Sequence, residues 1–276
     1  NQKIICCWCA PMHPYGVPVV GYMSDLETLS RRDVESYYRR FYGPNNAVVA
    51  IVGDLDPDQV EEWTRQYLGS IPRGDDPPPV LAVEPEQRGE RRIEVEWDAE
   101  PQLRLGWHVP SSMDDDAPAL AILTSLLTGG RTSRLYRRMI LEDRIATGVF
   151  SSLGPGSLYP QLLQIDATPL APATTATVET AIYEEIARLA SDGPTEIELT
   201  RVRNQIAAGS IRRMQSSLGL AFQLAESQAV FDDWRETFRF SDRLRTVTTG
   251  DIQRVAGQYL LRENRTVATL VKKETR

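Results

Sequence analysis

Ser30-Arg31-Arg32-Asp33-Val34-Glu35-Ser36-Tyr37-Tyr38-Arg39-Arg40-Phe41-Tyr42-Gly43-Pro44-Asn45-Asn46-Ala47-Val48-Val49-Ala50 decides the fold, because the chain carries its pattern twice. Ser30 stands three residues before Asp33, a capping box that opens a helix over 31–42. Val34, Tyr37, Tyr38, Phe41 and Tyr42 recur at helical spacing, and Gly43-Pro44-Asn45-Asn46 ends the run. Residues 47–52 then read as a buried strand. At an ungapped offset of 218 the pattern returns: Asp33 pairs with Asp251, Ser30 with Thr248, Val34 with Ile252 and Phe41 with Tyr259. Asn46 pairs with Asn264, Val49 with Val267, Ala50 with Ala268, Leu26 with Leu244 and Leu29 with Val247. Cap, helix face, turn and strand agree in register, which predicts a duplicated module.

Working outward, Asp56-Pro57 reads as N-cap and first residue of a second helix, with Val60, Trp63, Tyr67 and Leu68 on one face and Gly69 after it. Residues 73–91, rich in Pro, Gly, Arg and acidic side chains, read as a linker. Ile93, Val95 and Trp97 alternate, as do Leu103, Leu105 and Trp107, predicting two half-buried strands. A helix is expected from Pro118 to Gly129-Gly130, with a shorter one over 133–142. Strands are expected at 148–153 and 162–167, and a helix at 175–190. Thr195 and Glu198 form another capping box, opening a helical stretch to about residue 230, kinked near Gly209 or Gly219 and roughly 50 Å long. A helix at 250–261 and a strand at 266–271 close the chain. The fold class is therefore α+β, two homologous modules of mixed, largely antiparallel sheet packed with helices. The second copy starts near residue 92, and the matching start of the first would lie upstream of Asn1. The expected organisation is 1–72 as the last third of a first module, 73–91 as interdomain linker and 92–276 as a complete second module.

The chain has 276 residues, 41% hydrophobic, with 31 basic and 38 acidic side chains and a net charge of −7. That acidic balance argues against a general nucleic-acid binder. No apolar run approaches the ~18 residues of a membrane span. The only histidines, His13 and His108, are too far apart in sequence for a zinc motif with two His on one helical face. All three cysteines, Cys6, Cys7 and Cys9, fall in one N-terminal patch, so a disulfide framework is not expected.

The segment His13-Pro14-Tyr15-Gly16-Val17-Pro18-Val19-Val20-Gly21, then Ser24-Asp25-Leu26, Tyr42-Gly43-Pro44-Asn45-Asn46-Ala47 and Val52-Gly53-Asp54, resembles the insulinase, pitrilysin and mitochondrial-processing-peptidase family. Gly129-Gly130-Arg131-Thr132-Ser133-Arg134-Leu135-Tyr136 resembles the Gly-Gly-x-x-Ser-Arg-Leu-Phe/Tyr turn of that family's second module, and Asn264-Arg265-Thr266-Val267 its last strand. The resemblance implies two homologous modules and a zinc metalloendopeptidase that closes like a clam-shell on a peptide or unfolded polypeptide. Zinc is the cofactor of the full-length family, held by a His-x-x-Glu-His motif that precedes the His-Pro-Tyr-Gly segment. Residues 1–12 contain no His or Glu, so no catalytic residue and no metal ligand carries over, and no zinc is expected in this chain. Substrate contact is expected at Gly129, Gly130, Ser133 and Arg134. In two-subunit bacterial relatives the partner of the zinc subunit contributes an Arg and a Tyr. The aligned positions here are Ile140 and Thr147, which cannot replace them. The resemblance thus implies the C-terminal portion of a zinc-subunit type, inactive alone, forming a homodimer or a heterodimer with an Arg/Tyr-bearing paralogue. A catalytically dead scaffold or peptide-holding subunit is the alternative. The compartment expected is bacterial cytoplasm or periplasm, with no membrane and no nucleic-acid partner.

Bland readings stand beside the sharper ones. His13 with Cys6 and Cys9 has metal-ligand spacing but no evident fourth ligand; a loop histidine in a Pro-Tyr-Gly turn is favoured. His108 reads as a polar strand position, Gly129-Gly130 as a helix C-cap, and Asp114-Asp115-Asp116 as charge near a helix N-terminus rather than a cation site. Arg134, Arg137, Arg138 and Arg144 form a basic patch suited to a peptide carboxylate or partner, or else a solvated helix face.

Overall fold

The computed structural model describes residues 12–273, which fall into two compact units. One contains residues 12–18, Ala82–Ile206 and 241–273; the other contains Val19–Leu81 and Ala207–Phe240.

The first unit is built on a five-stranded sheet of order β1-β5-β2-β4-β3. Its strands are β1 (Arg91–Trp97), β2 (Gln102–Val109), β3 (Ala146–Gly154), β4 (Gln161–Pro169) and β5 (Arg265–Lys272). β1 runs parallel to β5, and every other pairing is antiparallel, so the expected mixed α+β layer is present. Alternation assigns the faces. Leu103, Leu105, Trp107 and Val109 of β2 are buried at every second position, with Leu163 and Ile165 of β4 and Val267 of β5 beside them. Three helices cover this face: α4 (Ala117–Thr128), α5 (Thr175–Asp192) and α9 (Thr249–Tyr259). They bury Leu120, Ile122, Leu123, Leu126 and Leu127, then Val178, Ile182 and Leu189, then Ile252 and Val255. Full burial of each such side chain contributes about 1.5–3 kcal/mol. At the β1–β5 side, Glu90 accepts hydrogen bonds from Arg92 and Arg265, Arg92 also pairs with Glu179 of α5, and the Arg265 guanidinium lies 3.7 Å from the Tyr183 ring centroid.

The second unit contains α1 (Met23–Thr28), α2 (Arg31–Phe41), α3 (Pro57–Leu68), residues 207–214 of α6 (Glu196–Met214), α7 (Ser217–Phe231) and the start of α8 (Glu236–Thr246). Ser30 and Asp33 form the expected box, and Asp56 caps α3 through the Asp58 N–H. The Asn45 side chain ties the turn after α2 to Gly74, Asp75 and Asp76. Three expectations need correction. The stretch opened by Thr195 is two helices, broken at Gln215-Ser216, where Ser216 caps α7 through the Gly219 N–H. Gly219 is required there, because a Cβ would lie 2.2 Å from the Arg213 carbonyl oxygen. The helix expected over 133–142 is one α-turn, Arg134–Tyr136, followed by a π-turn, Arg137–Glu142, closed by Asp143 N–H to Arg138 O. Finally, residues 47–52 form no strand: Ala47 is extended, but the segment pairs with no strand among the described residues. β-branched side chains favour the extended backbone; a ladder also needs a partner for each N–H and C=O.

The repeat holds in detail. α2 and α9 each have 11 residues and occupy the same places at the 218-residue offset. Thr248 and Asp251 repeat the box of Ser30 and Asp33, and the capping hydroxyl holds both carboxyls below the usual range. Asn46 Nδ2 donates to Phe41 O at 2.8 Å, and Asn264 Nδ2 to Tyr259 O at 2.7 Å.

Candidate functional site

The Gly-Gly turn begins where α4 stops. Gly129 N–H closes on Ser125 O at 2.7 Å, and a Cβ on Gly129 would come within 2.4 Å of that oxygen. Gly130 has φ +94°, a left-handed backbone that favours glycine. Ser133 is fully buried and donates through both its N–H and Oγ to Gly130 O, while Gln205 Nε2 donates to Gly129 O at 3.0 Å. The turn is thereby locked, and it aims Arg134 at α6. Arg134 donates Nε and Nη2 to the two oxygens of Glu198, each at 2.8 Å, and Nη2 also to Gly193 O. Glu198 is in turn the capping-box residue for Thr195. Its carboxyl is held down to about 2, first by Arg134 and then, against the opposing effect of burial, by the Thr195 N–H.

One turn further on, Arg138 donates to Ala181 O and pairs with Asp143, Glu184 and Glu185. Burial acts to lower the Arg138 pKa, but Glu184 and the other carboxylates outweigh it, and the guanidinium is held above its ordinary value. Arg134, Arg137, Arg138 and Arg188 face Glu142, Asp143, Glu185 and Glu198 across a polar cleft of about 420 Å³. Arg144 does not line it. This is charge-paired, hydrogen-bonding chemistry: it can hold polar groups of a peptide, but it contains no nucleophile and no activated base.

The other sequence candidates lie apart from the cleft. His13 is buried as N-cap of the Pro14–Gly16 turn, and its Nδ1 accepts the Tyr15 N–H. Glu84 Oε2 accepts from the N–H groups of Met12 and His13. The His13, Tyr15 and Tyr159 rings pack together, and Tyr15 Oη fills a space where a Cβ on Gly156 would lie 2.2 Å away. Cys6 and Cys9 lie outside the described residues. His108 stands on β2 opposite Leu162, and its carbonyl accepts from Asn264 Nδ2. Asp116 binds Arg254 and the Tyr259 hydroxyl instead of a cation, which holds its carboxyl below the usual range. Ile140 lies in the π-turn, and Thr147 sits at the β3 irregularity with Oγ1 on Thr168 O. Among the described residues no three His, Cys, Asp or Glu side chains could hold a metal ion, so they do not fit zinc. No described helix is long and apolar enough to cross a membrane. Sequence reasoning missed Glu185, Gln205, Tyr159 and Gly156. Glu198 was visible only as a cap; its Arg134 partner is far away in sequence.

A mixed sheet covered by helices, with a locked Gly-Gly-x-x-Ser-Arg-Leu turn, defines a domain of insulinase type. The chain belongs to the Peptidase M16 inactive domain family, whose profile matches residues 28–206. It is a homologue of the insulinase-type zinc proteases. It is 28% identical to an uncharacterized zinc protease of Mycobacterium leprae, over 90% of this chain and 56% of that protein. It is 27% identical to the zinc protease PqqE of Helicobacter pylori, with the same coverage. The chain thus spans little more than half the length of these relatives. Among solved structures, it is similar to a protease from Helicobacter pylori, with a TM-score of 0.90, 24% identity and coverage of 98% of this chain and 65% of the other. It is also similar to the peptidase M16 inactive domain from Pseudomonas fluorescens, with a TM-score of 0.88, 17% identity and coverage of 100% and 65%.

Proposed function

We propose that this chain is the C-terminal portion of an insulinase-like zinc metalloendopeptidase. In this reading residues 1–72 are the last third of a zinc-bearing first module, 73–91 the linker and 92–276 a complete second module that walls a clam-shell chamber for peptides. The repeat divides the chain by ancestry, whereas spatial compactness groups Ala207–Phe240 with Val19–Leu81. The observation that carries the reading is the duplicated cap, helix, turn and Asn hydrogen bond at one constant offset. Gly129, Gly130, Ser133 and Arg134 serve the substrate by fixing the shape of the turn, since their own polar groups are already bonded. Arg137 and Arg188, half-exposed and paired with Glu142 and Glu185, are the cleft groups that meet a peptide carboxylate by exchanging those partners for it. Zinc, its ligands and the general base belong to the other part of the enzyme, and a homodimeric partner or an Arg/Tyr-bearing paralogue completes it.

The experiment is metal analysis and peptide cleavage on two proteins: this chain, and the gene product extended in frame upstream of Asn1. The chain alone should hold no stoichiometric zinc and cleave nothing; the longer product should do both. One tightly held zinc and chelator-sensitive proteolysis in the chain alone would overturn the assignment. A longer product that binds peptide but neither zinc nor cuts would turn it into a scaffold.

A further inference from the structure

We propose that the polar cleft takes a small zwitterion, a carboxylate and an ammonium on one molecule, of the kind that proteolysis releases as amino acids and short peptides. This rests on the reading above, in which Arg137 and Arg188 meet a peptide carboxylate. The lining is balanced: Arg134, Arg137, Arg138 and Arg188 stand against Glu142, Asp143, Glu185 and Glu198. Its volume of about 420 Å³ falls in the range of small-molecule sites. The four arginines are not equivalent. Arg134 and Arg138 are mostly buried and are held by several acceptors each, so a ligand does not free them. Arg137 and Arg188 are 66% and 56% exposed, and their carboxylate partners are Glu142 and Glu185. The consequence of exchange falls on Glu185. Its side chain is 6% exposed, and its Oε1 accepts from Arg188 at 2.6 Å and from Arg138 at 3.3 Å. A carboxylate that draws Arg188 away leaves this buried anion with the longer bond alone, and a buried charge without a good partner is costly. An ammonium on the same ligand takes over the Arg188 bond, and the cleft stays neutral. A lone anion brings no such donor. The backbone of the wall serves the same end. Arg137 and Glu142 are five residues apart, and the i to i+5 geometry of the π-turn brings them together at 2.9 Å. Arg144, just beyond, has φ +52°, a left-handed backbone uncommon for a residue with a side chain. Strained turns of this kind cluster at ligand clamps.

Titration calorimetry on this chain tests the proposal with Ala-Ala, N-acetyl-Ala-Ala, Ala-Ala amide and free alanine. Ala-Ala should bind about 10-fold or more tightly than either blocked form, because each lacks one of the two charges to be exchanged. Whichever of alanine and Ala-Ala binds more tightly, both blocked forms binding more weakly supports the proposal, and the order tells an amino acid from a short peptide as the source. Arg188→Ala should weaken Ala-Ala by about 10-fold. Glu185→Gln should weaken Ala-Ala and strengthen N-acetyl-Ala-Ala, because the buried charge that needs an ammonium is gone. The urea midpoint of each variant controls for folding, and the comparison of probes on the unmodified chain decides the matter even where a variant fails to fold. Either blocked form binding as tightly as Ala-Ala, or no probe binding at all, would overturn the proposal. Tight binding of the N-acetyl form would leave the carboxylate role of Arg137 and Arg188 standing. Zinc content and peptide cleavage by the product extended upstream of Asn1 read the parent assignment separately. Zwitterion binding by a protein whose longer product neither holds zinc nor cuts rejects the zinc-peptidase assignment alone.

Discussion

Val34 and Ile252 hold the same place in two copies of one helix, yet Val34 is 52% exposed and Ile252 is fully buried. The same contrast runs down the face. Tyr37 and Tyr42 are exposed where Val255 and Leu260 are buried. Helix length, cap and terminal turn are alike in both copies. Local chemistry thus makes the helix, and burial comes from what lies against it: α9 has α4, α5 and β2. Capping and propensity fix an element's bounds, whereas its stability depends chiefly on tertiary packing.

The contrast can be broken by mutation. The largest expected effect is Ile252→Ala, which should cost about 2–5 kcal/mol by opening a cavity in the first unit. Urea unfolding followed by tryptophan fluorescence measures it, and a loss under ~1 kcal/mol would show that α9 is not the packed copy. Next is Glu198→Gln, which leaves the bidentate Arg134 without its charge partner and should cost about 2 kcal/mol. The Glu198 carboxyl is depressed to about 2 from an ordinary value of 4.5, so its contribution is fully present above 4.5 and is lost as pH falls toward 2. Stability measured across that window should fall more steeply in the wild type than in the variant; parallel curves would refute the coupling.

The caps sharpen the contrast from the other side. Thr248→Ala and Ser30→Ala should each weaken their own helix by about 1 kcal/mol, because each hydroxyl accepts the N–H of the Asp three residues on, Asp251 and Asp33. Helix-resolved hydrogen exchange would report this, and an effect at one cap alone would argue against a shared local design. The smallest effect is at Val34→Ala, expected within about 0.5 kcal/mol in this chain. The exposed apolar faces of α2 and α3, which include Tyr38, Trp63 and Tyr67, should also make the isolated chain dimerise or lose solubility. A monodisperse monomer in light scattering would count against that.

Most elements were legible because their signals are local: a Ser or Thr three residues before Asp, alternation along β2, Pro at a helix start, Gly at its end. α1 and α8 were not foreseen; Tyr22 is an unusual N-cap residue and gives no warning. Residues 47–52 show the limit from the other direction. Their sequence predicts a buried strand and says nothing about whether a neighbour is there to pair with; no strand forms among the described residues. The cleft was legible only in part. The Gly-Gly-x-x-Ser-Arg-Leu run marked the turn, but the bond from Arg134 to Glu198 joins groups that no spacing rule connects.

Gly156 faces Tyr15 so closely that any side chain there would displace the phenol. A side chain at Gly156 and the phenol of Tyr15 therefore compete for one space. Among relatives, a lineage that gains a side chain at the counterpart of Gly156 should have lost the tyrosine at the counterpart of Tyr15, with the His-Pro-Tyr-Gly segment drifting alongside it. The His-Pro-Tyr-Gly segment and the loop between β3 and β4 thus share one packing constraint.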